Sequence, residues 1–439
     1  MKIAIDLGNK FVKAQTDTGE RVFFRPVIAT APARRQVFSV SSKKASSDLV
    51  ESESIQVSIG SGKNARSYYV GKLAERRGEL PERVFGKEKY TTASAQRLIW
   101  AALALLVKGN EPVDLVLDFP YGQFAAVKDH FADKLRGKTE TVAIHGQAGQ
   151  PITIRSVAEY PQSLVAAYAL MPEYQEVFAE DDGGYIAIVD IGGGTTDVAV
   201  FEMIHGDFVI DEDISGTLQH GTHDLTQVIR RRMESETGDL IDADLADRIV
   251  EKGRAFYGDR VWSFPDEVAY TAANLAAVLK SQINDLFGIR KNRIRAMFWI
   301  GGGASLLEKN LQGFHFQDIF PKNAQWKNVE GCLLVETALA PIESGKPENL
   351  LDNPVVEPPS SHNTNTSTSQ QNHRDSAAVP ADRDKQRADH RGTDQPLRQS
   401  QQHKPRNSVN TVASTAPNNH DQNGSPNIPK RFQEGAPAW

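Results

Sequence analysis

Tyr185-Ile186-Ala187-Ile188-Val189-Asp190-Ile191-Gly192-Gly193-Gly194-Thr195-Thr196-Asp197-Val198-Ala199-Val200-Phe201 decides the fold. Two apolar runs, each long enough for a buried strand, flank a turn that reads Asp-x-Gly-Gly-Gly-Thr-Thr-Asp. A hairpin turn needs one or two residues at positive φ, not three successive glycines. Three glycines strip every Cβ from one surface, so backbone N–H groups can approach a ligand. Such a concavity suits phosphate oxygens. The flanking hydroxyls and carboxylates suit phosphate together with a hard cation.

The pattern recurs. Residues 2–13 read Lys-Ile-Ala-Ile-Asp-Leu-Gly-Asn-Lys-Phe-Val-Lys: a short apolar strand, an Asp, a Gly, polar residues and a second strand. Residues 297–307 read Met-Phe-Trp-Ile-Gly-Gly-Gly-Ala-Ser-Leu-Leu, a strand ending in three glycines with a helix expected from Ser305 onward.

This constellation resembles the actin-like ATPase superfamily, which includes actin, the chaperone ATPase domain, sugar kinases and bacterial actins. Residues 2–13 look like its first phosphate loop, 186–201 like its second and 297–307 like its adenosine loop. The resemblance covers about residues 1–345. Finer features are similar to the ParM/StbA-type plasmid-segregation actins and to archaeal and phage actin-like proteins. These are Phe23-Phe24-Arg25-Pro26, Tyr69-Val70-Gly71-Lys72-Leu73-Ala74, and Leu117-Asp118-Phe119-Pro120 where that group has Gly-Leu-Pro. The resemblance implies an α/β, actin-like (ribonuclease H-like) two-domain fold. Domain I would span 1–175, with a small variable subdomain at about 30–90, and domain II would span 183–345.

Composition narrows the class. A chain of 439 residues allows two or more domains. Its net charge of −6 gives no global basic field, so direct nucleic-acid binding is not expected. A single cysteine, Cys332, excludes an intramolecular disulfide and fits a reducing cytoplasm, with the thiol as a small core residue. The N-terminus lacks a signal-peptide pattern, and no apolar run approaches a membrane span. From 353 to 439 the chain is Ser, Asn, Gln, His, Thr and Pro with ten Lys/Arg against eight Asp/Glu. Such a segment cannot bury enough apolar surface to offset the entropy of ordering, so a disordered tail is expected.

Several elements read directly from periodicity. Residues 92–108 form an apolar helix, and 113–118 a buried strand ended by Pro120. An amphipathic helix is expected at 123–136, then an antiparallel pair over 140–157. Pro161 suits a helix's first turn and puts Gln162 in that turn, at the end that the resemblance implies faces the cleft. Phe208–Ile214 reads as a strand, and 224–236, 239–256, 266–287 and 331–340 read as helices.

The resemblance implies an ATPase whose halves close around MgATP. Asp6 and Asp190 would hold the waters of Mg²⁺, which is bound by one or two carboxylates plus phosphate oxygens. Gly8, Asn9, Gly192, Gly193, Gly194, Thr195 and Thr196 would surround the phosphates. Lys13 resembles the family's phosphate lysine, and Lys10, where relatives have a small residue, could clamp phosphate or crowd it. Gln162 stands six residues before Tyr168, as the water-positioning glutamine of actins does, or the glutamate of ParM-like proteins. Asp197 matches the chaperone branch and would orient water or metal. Catalysis is therefore assigned to Gln162, Asp190 and Asp197. Gly301, Gly302 and Gly303 would pass under the adenosine, with Glu251 and Lys252 reaching it from a helix. His220 and His223 lack a third ligand and read as loop histidines.

The expected function is a cytoplasmic, MgATP-dependent ATPase that self-associates into filaments for plasmid or DNA segregation or cytoskeletal organisation. A DNA-binding adaptor would be met through the tail or the filament end, with no membrane partner. The alternative is a non-polymerising relative, chaperone-like or a small-molecule kinase.

Overall fold

The structure, a computed structural model, describes residues 1–32, 54–179, 182–204 and 207–339. Residues 33–53 and everything from 340 onward, including the tail expected from 353 to 439, lie outside the described residues.

In chain order the first half contains strands β1 (Lys2–Leu7), β2 (Val12–Thr16), β3 (Arg21–Phe24), β4 (Val27–Thr30), β5 (Ile55–Ile59) and β6 (Arg66–Val70). Helix α1 (Lys72–Arg77), β7 (Glu79–Arg83), α2 (Ala93–Leu106), β8 (Val113–Phe119), α3 (Tyr121–Val127), β9 (Thr139–Ile144) and β10 (Gln150–Pro161) complete it. The strands form one sheet in the order β3-β2-β1-β8-β10-β9-β5-β6-β4-β7. Helices α4 (Leu164–Leu170) and α5 (Gln175–Phe178) lead into the second half.

That half holds β11 (Tyr185–Ile191), β12 (Thr196–Ile204), β13 (Asp207–Ile210), β14 (Gly216–Leu218), α6 (His223–Thr237) and α7 (Ala243–Lys252). It continues with β15 (Ala255–Tyr257), β16 (Arg260–Trp262), α8 (Pro265–Phe287), β17 (Ile294–Ile300), α9 (Gly302–Leu311), β18 (Asp318–Ile319) and α10 (Lys327–Leu339). Its main sheet runs β13-β12-β11-β17-β18, with β14 also on β12, while β15 and β16 pair separately.

The two sheets repeat one plan. In each, an antiparallel hairpin (β1–β2, β11–β12) sits beside a parallel neighbour (β8, β17). Both faces of each hairpin's first strand are covered, so these strands are continuously apolar rather than alternating. Along β11 the covering alternates. Ala187, Val189 and Ile191 enter the cluster made with α6 to α9, whereas Ile186 and Ile188 face α4, α5 and the aromatic group Phe178, Phe201 and Phe298. Helix α2 covers one face of the first sheet with Leu98, Ile99, Ala102 and Leu103. The opposite face, Ala4 and Val116, is covered by Val165 of α4, by Trp326 in the turn before α10, and by Val329, Cys332 and Val335 of α10. Among the described residues no helix is long and apolar enough to cross a membrane.

Several boundaries differ from the sequence expectation. Pro161 ends β10 instead of opening a helix: it pairs in register with Phe119, and the Gln162 N–H donates to the Phe119 carbonyl at 2.7 Å. Ser163 then turns the chain at φ 66°, and α4 begins only at Leu164. The helix expected at 123–136 stops at Val127, because Asp129 takes φ 64° and its N–H donates to Glu159 at 2.7 Å. The strand expected to reach Ile214 ends at Ile210, and the helix expected over 239–256 is confined to 243–252, where Gly253 at φ 74° caps it. Helix α9 starts three residues before Ser305, and α10 four residues before 331.

Candidate functional site

The hairpins explain why the acidic and basic residues meet. Asp6 and Lys13 are direct cross-strand partners in β1–β2, and Asp6 is also level with Asp118 on β8. Residues level with one another share a sheet face. Lys13 Nζ accordingly donates to Asp6 Oδ2 at 2.8 Å. In the second hairpin Asp190 stands opposite Asp197 and level with Ile300, the residue before the 301–303 glycines.

Gln162, at the junction of β10 and α4, joins this group. Its Nε2 donates to Asp118 Oδ1 at 2.6 Å and to Asp6 Oδ1 at 3.1 Å. Asp190 Oδ2 accepts from Asn328 Nδ2 of α10 at 2.6 Å. Asp197 accepts from the Tyr121 N–H at 3.1 Å and from Thr217 Oγ1 at 2.5 Å, with Thr195 Oγ1 at 3.4 Å.

Burial sets the electrostatics. It raises the Asp190 carboxyl above its ordinary range, with Lys13 and the Asn328 hydrogen bond opposing and Asp6 adding to the rise. It likewise pushes Asp197 up to about 7, opposed chiefly by the Thr217 hydrogen bond. Asp118 is pushed well up by burial and then by the neighbouring Asp6 charge. For Lys13, burial acts downward, but Asp6, Asp190 and Asp118 together outweigh it and leave the ammonium above its ordinary value.

The glycines of the two loops serve close approach, not left-handed backbone. None of Gly8, Gly192, Gly193 and Gly194 has positive φ. A Cβ on Gly193 would come within 2.8 Å of Lys10 Cβ, and one on Gly194 within 2.9 Å of Asn9 Nδ2 and 3.1 Å of Phe85. The two loops therefore touch across the boundary between the halves. The N–H groups of Gly193 and Gly194 have no hydrogen-bond partner among the described residues. The 301–303 glycines divide their work. Gly301, at φ 83°, leaves room for Asp190, whose Oδ1 would be 2.1 Å from a Cβ there. Gly303 packs on Ile191, and only Gly302 faces open space.

The remaining expected residues are placed as follows. Lys10 Nζ reaches across to Glu251 Oε1 of α7 at 2.9 Å, and Lys252 is exposed at the end of that helix. The Thr196 hydroxyl donates to the His220 carbonyl at 2.9 Å. His223 opens α6 beside the Phe85 ring, with centroids 5.5 Å apart. Arg25 on the turn after β3 forms a buried pair with Asp247 of α7 at 2.7 Å and lies 3.3 Å from Asp244. Asn9, Lys10, Arg83, Phe85, Gly193, His223, Thr226 and Asp247 line a narrow pocket between the loops and this pair.

Sequence reading missed Asn328, Lys89 and the Asp118–Gln162 contact. Lys89 Nζ donates to the Leu7 carbonyl at 2.5 Å and to Asn9 Oδ1 at 3.2 Å, and burial lowers its pKa to about 8. It braces the first loop from behind. Neither Lys89 nor Asn328 lies in a glycine-rich motif, so no local pattern marks them.

The donors present fit a hydrated hard cation. Asp6 and Asp190 supply carboxylate oxygens. Among the described residues no three His, Cys, Asp or Glu side chains converge to hold a metal by themselves. A Mg²⁺ ion bound through waters and phosphate needs only one or two protein carboxylates.

Two family models match the chain: "Actin like proteins N terminal domain" over residues 4–164 and "Archaeal actin homologue MreB-like, C-terminal" over residues 188–313. No curated protein matches. Among solved structures, the fold is similar to a subunit of a 15-stranded ParM filament from Clostridium botulinum, at 21% identity and a TM-score of 0.68. It is also similar to a non-polymerisable quadruple mutant of pCBH ParM, at 20% identity and a TM-score of 0.67. A third relative in fold is an archaeal actin homologue in complex with ADP, at 21% identity and a TM-score of 0.62. Each comparison covers 77% of this chain and 99% of the other. With both family models in place over the two repeated hairpins, the chain belongs to the actin-like proteins.

Proposed function

We propose that this protein is an ATPase that binds MgATP between its two halves and assembles into nucleotide-dependent filaments. The observation that carries the reading is the convergence of Asp6, Lys13, Gln162 and Asp190 on one cleft, beneath two touching glycine loops. The N–H groups of Gly193 and Gly194, without partners among the described residues, suit the oxygens of a terminal phosphate. Lys13 supplies a fixed positive charge there. Asp6 and Asp190 would hold Mg²⁺, which when bound neutralises charge on the phosphates. Gln162, with its amide N–H₂ turned toward two carboxylates, offers its carbonyl oxygen to an attacking water. Positioning of this kind is most of what phosphoryl transfer asks of a protein. Glu251 and Lys252, together with Gly302, are assigned to the nucleoside end of the site.

Filament assembly rests on the fold shared with ParM, and on the contact between the loops. A γ-phosphate held by both loops favours the closed cleft, and closure changes the angle between assembly surfaces. Service to plasmid segregation, a DNA-binding adaptor met through the tail or filament end, and a cytoplasmic location belong to this same reading. A kinase is disfavoured because Asp118, the strand-end acid considered as its acceptor base, is buried and hydrogen-bonded to Gln162.

The deciding experiment is phosphate release together with sedimentation and negative-stain microscopy, with MgATP, MgADP or a non-hydrolysable analogue. Hydrolysis with MgATP-dependent pelleting is expected. Absence of phosphate release would exclude the ATPase, and a monomer with every nucleotide would exclude the filament.

A further inference from the structure

We propose that Asp118 is a positioning residue for hydrolysis: it fixes the orientation of the Gln162 carboxamide, so that the carbonyl end of that group faces the water. The inference rests on the ATPase reading above and adds to it a residue to which that reading gives no role.

A carboxamide is nearly symmetric in shape, and its two ends differ only in hydrogen bonding. Something must decide which end faces the reacting centre. Here the decision is made by two acceptors on adjacent strands. Asp118 and Asp6 are level with each other across β8 and β1, and both receive Gln162 Nε2. The Asp118 contact is the shorter, 2.6 Å against 3.1 Å. Asp6 is also engaged by Lys13 and is assigned to the cation, so it is an unreliable holder of the amide through a catalytic cycle. Asp118 has no such second duty. It is buried in the first sheet, and its other oxygen is 3.7 Å from the Cys332 sulfur of α10, which walls the carboxyl in. Gln162 Oε1, in contrast, accepts no hydrogen bond among the described residues and is not among the sealed, unpaired atoms. One end of the amide is anchored and the other is open.

The anchor has a second consequence. Gln162 follows a strand end and precedes the φ 66° turn at Ser163, so its backbone belongs to no helix. Side-chain anchoring therefore does the orienting that a helical first turn would otherwise supply.

The test is a double-mutant cycle read by steady-state MgATP hydrolysis, with affinity for a fluorescent ATP analogue measured alongside. Asp118→Ala is expected to lower kcat about tenfold and to leave KM and analogue affinity within about threefold, the signature of lost orientation. Asp118→Asn, whose carboxamide oxygen can still accept from Nε2, is expected to retain most of the rate. Adding Asp118→Ala to Gln162→Ala should cost nothing further, because the anchor has nothing left to orient. If Asp118→Ala fails to fold, a polarity swap replaces it. Gln162→Glu alone should be impaired by crowding three carboxylates, and Asp118→Asn combined with it should recover at least severalfold. Multiplicative losses in the cycle, or Asp118→Asn as damaging as Asp118→Ala, would overturn the inference while leaving the ATPase standing. A wild-type protein that binds the analogue without hydrolysing ATP overturns both.

Discussion

Replacing Arg25 by Met tests how the halves are joined at the mouth of the cleft. The Arg25 guanidinium and the Asp247 carboxylate are both buried, 2.7 Å apart, and Asp247 also accepts from Thr226 Oγ1 at 2.6 Å. A buried pair adds little net stability compared with an apolar pair, but removal of one partner strands the other charge and costs about 3–5 kcal/mol. Thr226 remains, and Arg83 stands 3.9 Å from Asp247, so the lower end, about 3 kcal/mol, applies. With an unfolding entropy of about 2 cal/mol/K per residue over roughly 300 folded residues, each kcal/mol shifts the melt by about 1.5 °C, so the ligand-free protein should melt about 4–5 °C lower. Arg25→Met combined with Asp247→Leu should regain most of that loss. The dependence on pH has a definite sign. Burial raises the Asp247 carboxyl, but Lys10, Arg25, the Thr226 hydrogen bond and Arg83 outweigh it and hold the group below its ordinary range. A depressed carboxyl stabilises above its unfolded pKa and loses that contribution as pH falls through the folded one. The penalty of Arg25→Met should therefore be full at neutral pH and shrink in acid, below the ordinary carboxylate range. Thermal melts of the three proteins at neutral and acid pH decide it. An Arg25→Met protein that melts within 2 °C of wild type would mean the pair is hydrated and the halves do not meet there.

Asp190→Ala should abolish ATP hydrolysis while the protein stays folded, checked by phosphate release and circular dichroism. Gly331→Ala should destabilise by about 1–3 kcal/mol or more, because the new Cβ would lie 1.9 Å from the Val165 carbonyl where α10 crosses α4; a melt unchanged by it would refute that crossing. Asp197, raised to about 7 by burial, stabilises the ligand-free fold below its unfolded pKa and loses this as pH rises through 7, so stability should fall between about pH 4 and 7. Asp197→Asn should flatten that slope in melts across the range.

What was legible in the chain is what depends on backbone. The motif glycines, and the apolar runs before and after them, are local and periodic, and both hairpins form where they were expected. The side chains that hold the site together come from elsewhere. Asp118 and Gln162 meet because β8 and β10 run parallel, with Asp118 level with Tyr160, and Asn328 arrives at Asp190 from a helix 138 residues away in sequence. No spacing rule reports a contact made by sheet register or by helix crossing. Pro161 shows the same limit in small. Its preference for a helix's first turn is real, yet the parallel ladder with Phe119 extends β10 through it.

The closing helix sets an order of events for a chain that emerges from its N-terminus. Helix α10 follows the whole second half in sequence, yet it covers the Ala4 and Val116 face of the first sheet. The second half is thus an insertion between the first sheet and its own final layer. While residues 185–325 are being made, only Val165 of α4 covers that face, and Asp190 lacks Asn328. The first half is consequently completed last, and only when Lys327–Leu339 emerges do core and cleft become whole together.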